Sequence, residues 1–221
     1  MTSFPRLDML PIAQRQLWPE LAKVQDETFV LYGGTAIALF LGHRVSVDFD
    51  FFSDRNFQPE DLLKKFHFLQ HAELLQSQPN TLTALTYDDD NAHRVKVSFF
   101  GGLGFGRLDD PEPTPDKVLQ IASLQDLLAH KLKVLLQRVE AKDYIDIDAL
   151  INGGLDLARG LAGACTLFPA FVPQECLKAL TYFREPSLKS LSANLQGRLL
   201  MATQEVRSIP HVVIKSKTLV R

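Results

Sequence analysis

The sequence has few of the features that mark secreted, disulfide-rich or strongly basic proteins. Of its 221 residues only two are cysteines, Cys165 and Cys176, with no histidine cluster near them. We therefore expect reduced thiols rather than a disulfide or a metal site. The formal net charge is −2, which excludes a global basic field, so any contact with nucleic acid would need a local basic patch.

Long apolar runs are also missing. No stretch approaches the roughly 18 apolar residues of a membrane span. Residues 1–10 lack the basic start and long apolar core of a signal peptide. We therefore expect a cytoplasmic protein without a membrane partner. The apolar fraction of 46% is ordinary for a globular chain. On folding, a chain of this length buries roughly 70% of the surface that the unfolded chain exposes, so it needs no disulfide or metal to fold.

The most informative stretch is residues 29–53, which read as strand, turn, helix and strand. A short apolar run at 29–32 ends at Gly33 and Gly34, as a buried strand does at a tight turn. Thr35 is then predicted to be a helix N-cap, and Gly42 ends the helix. Because a glycine turn that opens a helix presents free N–H groups, this turn favours a bound phosphate.

Residues 45–52 alternate as a strand with one apolar and one polar face. The apolar face is predicted to carry Val45, Val47, Phe49 and Phe51. The polar face carries Arg44, Ser46, Asp48 and Asp50. Aspartates at i and i+2 lie roughly 6 to 7 Å apart at Cα, and their repulsion is relieved by cations or hydrogen-bond donors. That spacing lets them share a magnesium ion, or two ions.

These features allow two interpretations. The Gly-Gly dipeptide alone is typical of an ordinary turn, and a wet strand face can carry acids by chance. The whole pattern GGT-x8-R-x-S-x-D-x-D favours a phosphate cradle beside a metal-binding dicarboxylate, because every polar residue falls on one face. That is the layout which nucleotidyl transfer needs.

Other elements are predicted from periodicity and turn residues. Helices are expected at 10–25, interrupted near Pro19, and from Pro59 onward; a hairpin pairs 72–76 with 81–87. The acidic turn at 88–91 could compete as a metal site but is more typical of a solvated turn. Residues 94–100 form a further one-sided strand, 101–115 a loop, 118–122 a short strand, and 211–221 a solvated tail.

A second group of polar residues lies on predicted helices. Ser123 is a plausible N-cap for a helix with a leucine stripe, and Lys131 falls in or beside that stripe, where it must snorkel or meet an anion. On the next helix, 141–152, Asp143 and Asp146 share one face.

Asp148 is turned about 140° from Asp143 and is expected to be solvated. For Asp143 and Asp146, helix capping or ion pairs with Arg138 and Lys142 are alternatives of similar weight.

The first block resembles the nucleotidyltransferases of the polymerase-β-like superfamily, in particular the AbiEii/AbiGii toxin family. The residues that carry it are Gly33, Gly34, Thr35, Arg44, Ser46, Asp48 and Asp50. A second block resembles the AbiEii-type pattern K-x6-R-x3-[RK]-D-x2-D. It is matched by Lys131, Arg138, Lys142, Asp143 and Asp146.

The resemblance implies a role for each of these residues. Asp48 and Asp50 would bind Mg²⁺ or Mn²⁺, and the Gly34-Thr35 turn would contact phosphates. Arg44 would order the two aspartates or contact the phosphates. Lys131 would reach the triphosphate, and Asp143 would point into the cleft as a base or metal partner.

One departure from the superfamily pattern lies on the strand at 94–100. Ser98 stands where a third carboxylate is expected, with Lys96 beside it. We therefore hypothesise that Asp143 or Asp146 supplies the missing acid.

The resemblance implies an α+β fold, with a small mixed-sheet nucleotidyltransferase domain at 1–115 and a helical part at 116–221 that completes the cleft. The activity it implies is Mg-dependent transfer of a nucleoside monophosphate from an NTP to an acceptor, with RNA such as a tRNA end among the candidates. A toxin-like role with an antitoxin partner is also implied. The alternative is a catalytically lapsed member that binds a nucleotide or a partner without chemistry.

Overall fold

The computed structural model describes residues 4–87 and 94–221, so the predicted acidic turn at 88–91 lies outside the described residues. The chain divides into two compact units. Unit 1 comprises the described residues of Met1–Gly106, Asp110–Ala122 and Ser216–Arg221; unit 2 comprises Arg107–Asp109 and Ser123–Lys215.

Unit 1 contains a mixed sheet, which confirms the α+β prediction. The strands in the described ranges are β1 (Val30–Tyr32), β2 (Asp48–Phe52), β3 (Glu73–Gln78), β4 (Thr81–Tyr87), β5 (Arg94–Phe100), β6 (Glu112–Pro113) and β7 (Gln120–Ile121). Their order across the sheet is β3-β4-β5-β2-β1-β7-β6. β2 runs parallel to β5 and antiparallel to β1, and β1 runs parallel to β7. The predicted hairpin is present as β3 and β4.

Aromatic side chains on one face of the central strands build the core of unit 1. Phe49 and Phe51 of β2 are fully buried, and Phe51 stacks on Phe99 of β5 with ring centroids 5.3 Å apart. The predicted strand at 45–52 was too long, because β2 begins only at Asp48. Val45 and Val47 are 56% and 57% exposed, so their prediction as part of the apolar face was wrong.

The helices of unit 1 are α1 (Ile12–Leu17), α2 (Ala22–Asp26), α3 (Gly33–Leu41) and α4 (Pro59–Lys65). A 3-10 turn at Trp18–Leu21 interrupts the first predicted helix at Pro19, which has no N–H to continue the helical hydrogen bonds. In this segment Leu21 and Val24 are buried, whereas Ile12 is exposed.

Unit 2 is helical. Its helices are α5 (Leu124–Leu135), α6 (Ala141–Asn152), α7 (Leu157–Leu167), α8 (Pro173–Thr181) and α9 (Ala193–Glu205). Ser123 caps α5 by accepting a hydrogen bond from the Asp126 N–H at 3.1 Å, as predicted. Gly160 allows α7 to approach α5 closely, because a Cβ there would lie 2.5 Å from a methyl group of Leu128.

The expectation for Asp148 was wrong, and the expectation of a solvated tail holds for most of residues 211–221 but not for Leu219. Asp148 is buried and accepts two hydrogen bonds from Arg198, at 2.8 and 2.6 Å, instead of being solvated. In the C-terminal tail Leu219 is buried, and its N–H donates to Oδ1 of Asp54 at 3.0 Å. Cys165 and Cys176 are free, as expected. Within residues 4–87 and 94–221, no helix is both long enough and apolar enough to cross a membrane.

Candidate active site

The glycine turn that begins α3 lies directly against the polar residues around β2. Gly33 has φ = +76°, and a Cβ at this position would lie 2.5 Å from Oδ2 of Asp50. A Cβ on Gly34 would lie 3.0 Å from Oγ of Ser46 and would also clash with the guanidinium of Arg44. The structure therefore brings five residues of the first sequence block together, and the closeness of their side chains depends on both glycines.

Thr35 has a different place from the predicted one. Tyr32 is the N-cap of α3, so the N-cap prediction for Thr35 was wrong. With no side chains at Gly33 and Gly34, the chain turns into the helix three residues earlier. Thr35 is buried, and its hydroxyl donates a hydrogen bond to the backbone carbonyl of Asp48. This bond ties the first turn of α3 to the start of β2.

Strand pairing places Lys96 and Ser98 beside the two aspartates. In the parallel β2–β5 pair, Asp48 lies opposite Lys96 and Asp50 lies opposite Ser98. The Lys96 ammonium is 3.1 Å from Oδ2 of Asp48, and both side chains are about one-third exposed, at 38% and 34%. Ser98 is buried. On β5, therefore, the residues that pair with the aspartates are a cation and a hydroxyl rather than an acid.

The two aspartates offer only part of the ligand shell of a metal ion. In the part of the chain that the structure describes, no group of three or more His, Cys, Asp or Glu side chains is arranged to hold a metal. Mg²⁺ nevertheless needs only one or two carboxylates when waters and substrate phosphates complete its octahedral shell. Asp48 and Asp50 fit such a site, with phosphates on the adjoining glycine turn as the remaining ligands.

The second sequence block forms a buried ionic cluster in unit 2. The Lys131 ammonium is 2.8 Å from Oδ1 of Asp143 and 2.6 Å from Oδ2 of Asp146. Both carboxylates have no exposed side-chain surface, and Lys131 is only 7% exposed. Lys131 therefore meets anions instead of snorkelling to solvent. The Nε of Arg138 donates to Asp143 at 3.0 Å, whereas Lys142 pairs with Glu140 at 2.8 Å.

The charges around Asp143 set its protonation. Burial by itself would raise the pKa of Asp143, but the hydrogen bond from Arg138 and the charge of Lys131 outweigh burial and hold the pKa below its ordinary value. Asp143 is therefore an anion at neutral pH. A carboxylate of lowered pKa is a weak proton acceptor, so its surroundings favour an electrostatic role over that of a general base.

One buried acid was not recognised as important from the sequence. Asp126 accepts hydrogen bonds from the N–H groups of Leu108 and Asp109, at 2.8 and 3.1 Å, and from the Ser123 hydroxyl. Burial raises the pKa of Asp126. The Ser-x-x-Asp spacing indicated a helix start, but it contained no information about the segment that Asp126 holds in place.

The predicted site residues do not line the cavity between α5 and α8. That cavity has a volume of about 590 Å³ and is lined by Leu135, Leu136, Glu175, Lys178, Ala179, Thr181 and Tyr182. Its lining has neither paired carboxylates nor a glycine turn.

Comparison with known proteins agrees with the fold and with the family suggested by the motifs. A crystal structure of JHP933 from Helicobacter pylori superimposes with a TM-score of 0.57 at 16% identity, over 86% of this chain and 88% of that one. This likeness shows a shared fold. An antigenic nucleotidyltransferase-like protein from Paracoccidioides brasiliensis is 18% identical over 74% of this chain and 91% of that chain, with a TM-score of 0.44, too low to support a shared fold.

Sequence relationships are more informative than these structures. The "Uncharacterized protein aq_aa25" of Aquifex aeolicus (strain VF5) is 31% identical over 121 residues, which make up 54% of this chain and 55% of that protein. The chain thus matches about half the length of this curated relative. The family model described as "Nucleotidyl transferase AbiEii toxin, Type IV TA system" matches residues 21–207, which include both sequence blocks. The chain therefore belongs to the AbiEii family of nucleotidyl transferase toxins.

Proposed function

We propose that this protein transfers a nucleoside monophosphate from an NTP to an acceptor with release of pyrophosphate, in a reaction that depends on Mg²⁺ or Mn²⁺, and that the site in unit 1 binds the nucleotide. The observation that carries the proposal is the contact between the glycine turn and the acidic strand. Gly33 leaves room for Asp50, and Gly34 leaves room for Arg44 and Ser46. The turn proposed to bind phosphate and the Asp50 carboxylate proposed to bind the metal are therefore so close that a methyl group on Gly33 would clash with the carboxylate.

Each residue of this site has a distinct task in the proposed reaction. The N–H groups at the start of α3 and the guanidinium of Arg44 bind phosphate oxygens, and Ser46 adds a hydroxyl donor. Asp48 and Asp50 hold the metal ion. When bound, Mg²⁺ neutralises the triphosphate and lowers the pKa of the attacking hydroxyl. The hydrogen bond from Thr35 to the Asp48 carbonyl fixes the aspartates relative to the turn, which favours catalysis by positioning.

For the second block we propose supporting electrostatic roles. Two carboxylates hold the ammonium of Lys131 at 2.6 and 2.8 Å, so it is oriented in advance for a phosphate group. Asp143 and Asp146 then serve to position Lys131, and Arg138 keeps Asp143 ionised. The assignment of Lys131 to the triphosphate, and of Asp143 as a base or metal partner, rests on the family resemblance.

The acceptor and the partner are proposed from the family alone. The type IV toxin–antitoxin description supports a toxin whose activity is opposed by an antitoxin protein. RNA, such as a tRNA end, is the acceptor we favour. Free nucleotides and proteins are the other candidates, and the experiment below distinguishes them.

The test incubates the protein with each of the four α-³²P-labelled NTPs, Mg²⁺ and total RNA. We expect label from at least one NTP to appear in the RNA fraction, and to be lost with EDTA and in Asp50→Asn. Asp61→Asn is the matched control, because it removes one negative charge from the exposed first turn of α4. Label in the free-nucleotide or protein fraction would still support the transfer reaction but would identify a different acceptor. Absence of label from every fraction would contradict the proposal.

A second candidate, nucleotide binding without chemistry, is favoured by the residues on β5. Ser98 lies opposite Asp50, and Lys96 already neutralises part of the charge on Asp48. A binding protein of this kind would transfer no label. It would still be stabilised by Mg²⁺ with an NTP, by RT ln(1 + [L]/Kd), and thermal unfolding would detect this.

A further inference from the structure

Lys96 is a cation beside a metal-binding carboxylate for which the proposed reaction gives no task. Its ammonium lies 3.1 Å from Oδ2 of Asp48, across the β2–β5 pair. Side chains two residues apart on a strand share a face, so Lys96 and Ser98 lie on the same face of β5. Lys96 therefore stands beside Asp48 on the strand where a third acid would be needed to hold a second metal ion.

The charges at this position are unfavourable for two divalent ions. Two such ions bring four positive charges, and the strand pair offers only the two negative charges of Asp48 and Asp50. A second ion bound through Oδ2 of Asp48 would lie beside the Lys96 ammonium, and like charges repel. Ser98 is buried and neutral, so it cannot offset that repulsion. A single divalent ion leaves the ammonium in place and brings only half of this added positive charge, so the repulsion is smaller.

We propose that Lys96 is a positioning residue that acts as a built-in cation: its ammonium occupies the place of a second metal ion on Asp48 and restricts the site to one divalent ion. This inference rests on the proposed function, because it concerns the same metal-binding site. The proposal explains why Lys96 lies opposite Asp48, one of the two proposed metal ligands. It also explains why β5 has no acid opposite either Asp48 or Asp50. The salt bridge holds the Asp48 carboxylate in one orientation, in which it would bind the single ion together with Asp50.

The test counts bound ions directly, with Mn²⁺ alone as the probe and the electron paramagnetic resonance signal of free Mn²⁺ as the readout. Four proteins are compared: wild type, Lys96→Met, Lys96→Asp and Arg94→Met. Arg94 is the matched control, because it lies two residues away on the same face of β5 and pairs with Glu73 at 3.4 Å. Lys96 and Arg94 are both substantially exposed, and circular dichroism confirms that each variant folds.

We expect one Mn²⁺ per chain in the wild type and in Arg94→Met, and two in Lys96→Asp, which adds the third carboxylate. Lys96→Met removes the competing charge, so its Mn²⁺ dissociation constant should fall by about two- to fivefold, the range set by exposed ion pairs. Two ions in the wild type, one ion in Lys96→Asp, or equal affinities in Lys96→Met and Arg94→Met would each overturn the inference. If none of the four proteins binds Mn²⁺, either alone or with a non-hydrolysable NTP that supplies the phosphate ligands, the proposed metal-dependent function itself fails.

Discussion

The ammonium of Lys131 lies 2.6 Å from the carboxylate of Asp146, and hardly any surface of either side chain reaches solvent. Asp143 accepts from the same ammonium at 2.8 Å. Two buried carboxylates beside each other repel, and their burial is tolerated only when cations and hydrogen bonds compensate both charges. The stability of unit 2 should therefore depend strongly on this lysine.

We expect Lys131→Met to lower the free energy of unfolding by about 3–5 kcal/mol, because it removes the cation that two buried carboxylates share. Urea denaturation followed by circular dichroism measures the loss. Lys142→Met is the control, since Lys142 is 46% exposed, pairs with Glu140, and should matter by less than about 1 kcal/mol. Equal losses in the two variants would show that the buried cluster does not stabilise the fold.

The glycine turn can be tested with two alanine substitutions at positive φ. Gly33 (φ = +76°) would place a Cβ against Asp50, whereas Gly154 (φ = +99°) has no neighbouring atom within 4 Å of its Cβ position. Each substitution should cost about 1–2 kcal/mol through backbone strain alone. Only Gly33→Ala should also abolish nucleotidyl transfer, because it displaces the Asp50 carboxylate. If Gly33→Ala and Gly154→Ala retain the same transfer rate, the turn does not contribute to the site.

The metal-binding assignment predicts the kinetic effect of removing either carboxylate. We expect Asp48→Ala or Asp50→Ala to reduce the transfer rate by at least about a thousandfold, which corresponds to about 4 kcal/mol of transition-state stabilisation. Single-turnover assays with saturating NTP measure the chemical step. Turnover like that of the wild type in either variant would rule out the assignment of that aspartate.

A half-buried histidine, His130, should make stability depend on pH. The ring of His130 packs edge-on against Phe168 with centroids 5.0 Å apart, and its Nε2 is closed off from solvent. Burial, together with the charge of Lys133, lowers the pKa of His130 to about 3. In the unfolded chain the pKa of histidine is about 6.5, so below that pH the unfolded state binds a proton that the folded state does not.

The folded state should therefore lose stability as the pH falls from about 6.5 toward 4, by at most about 1.4 kcal/mol per pH unit from this residue. His130→Leu should flatten this slope in urea denaturation curves recorded across the range. His67→Gln, at an exposed position, controls for the loss of a histidine. An unchanged slope in His130→Leu would show that the ring can be protonated in the folded protein.

Local patterns predicted much of the sheet and part of the site. The alternation that placed Phe49 and Phe51 in the core is a property of neighbouring residues, and so is the glycine turn before α3. The extent of β2 depends on its partner instead. Tyr32 pairs with Asp50, and the chain then turns into α3, so β1 offers no partner to Val45 or Val47. The apolar–polar alternation of residues 45–52 extends beyond the paired strand, and it therefore wrongly predicted that Val45 and Val47 belong to the apolar face.

Pairings between distant residues were beyond local patterns. Asp148 meets Arg198, fifty residues further along the chain, so helical geometry alone suggested solvation. The contact of Lys96 with Asp48 depends on the register of two parallel strands, which neither strand specifies alone. For Lys131 the sequence allowed solvent or an anion, and only the packing of α5 with α6 brings Asp143 and Asp146 to its ammonium.

The return of the last six residues, Ser216–Arg221, to unit 1 limits how the protein can be dissected. A fragment that stops at Ala122 would lose the buried Leu219 side chain and the hydrogen bond that the Leu219 N–H donates to Asp54. Expressing the sheet unit by itself would therefore require a short linker from Ala122 to Ser216, so that the excised helices are replaced and the terminal peptide is kept.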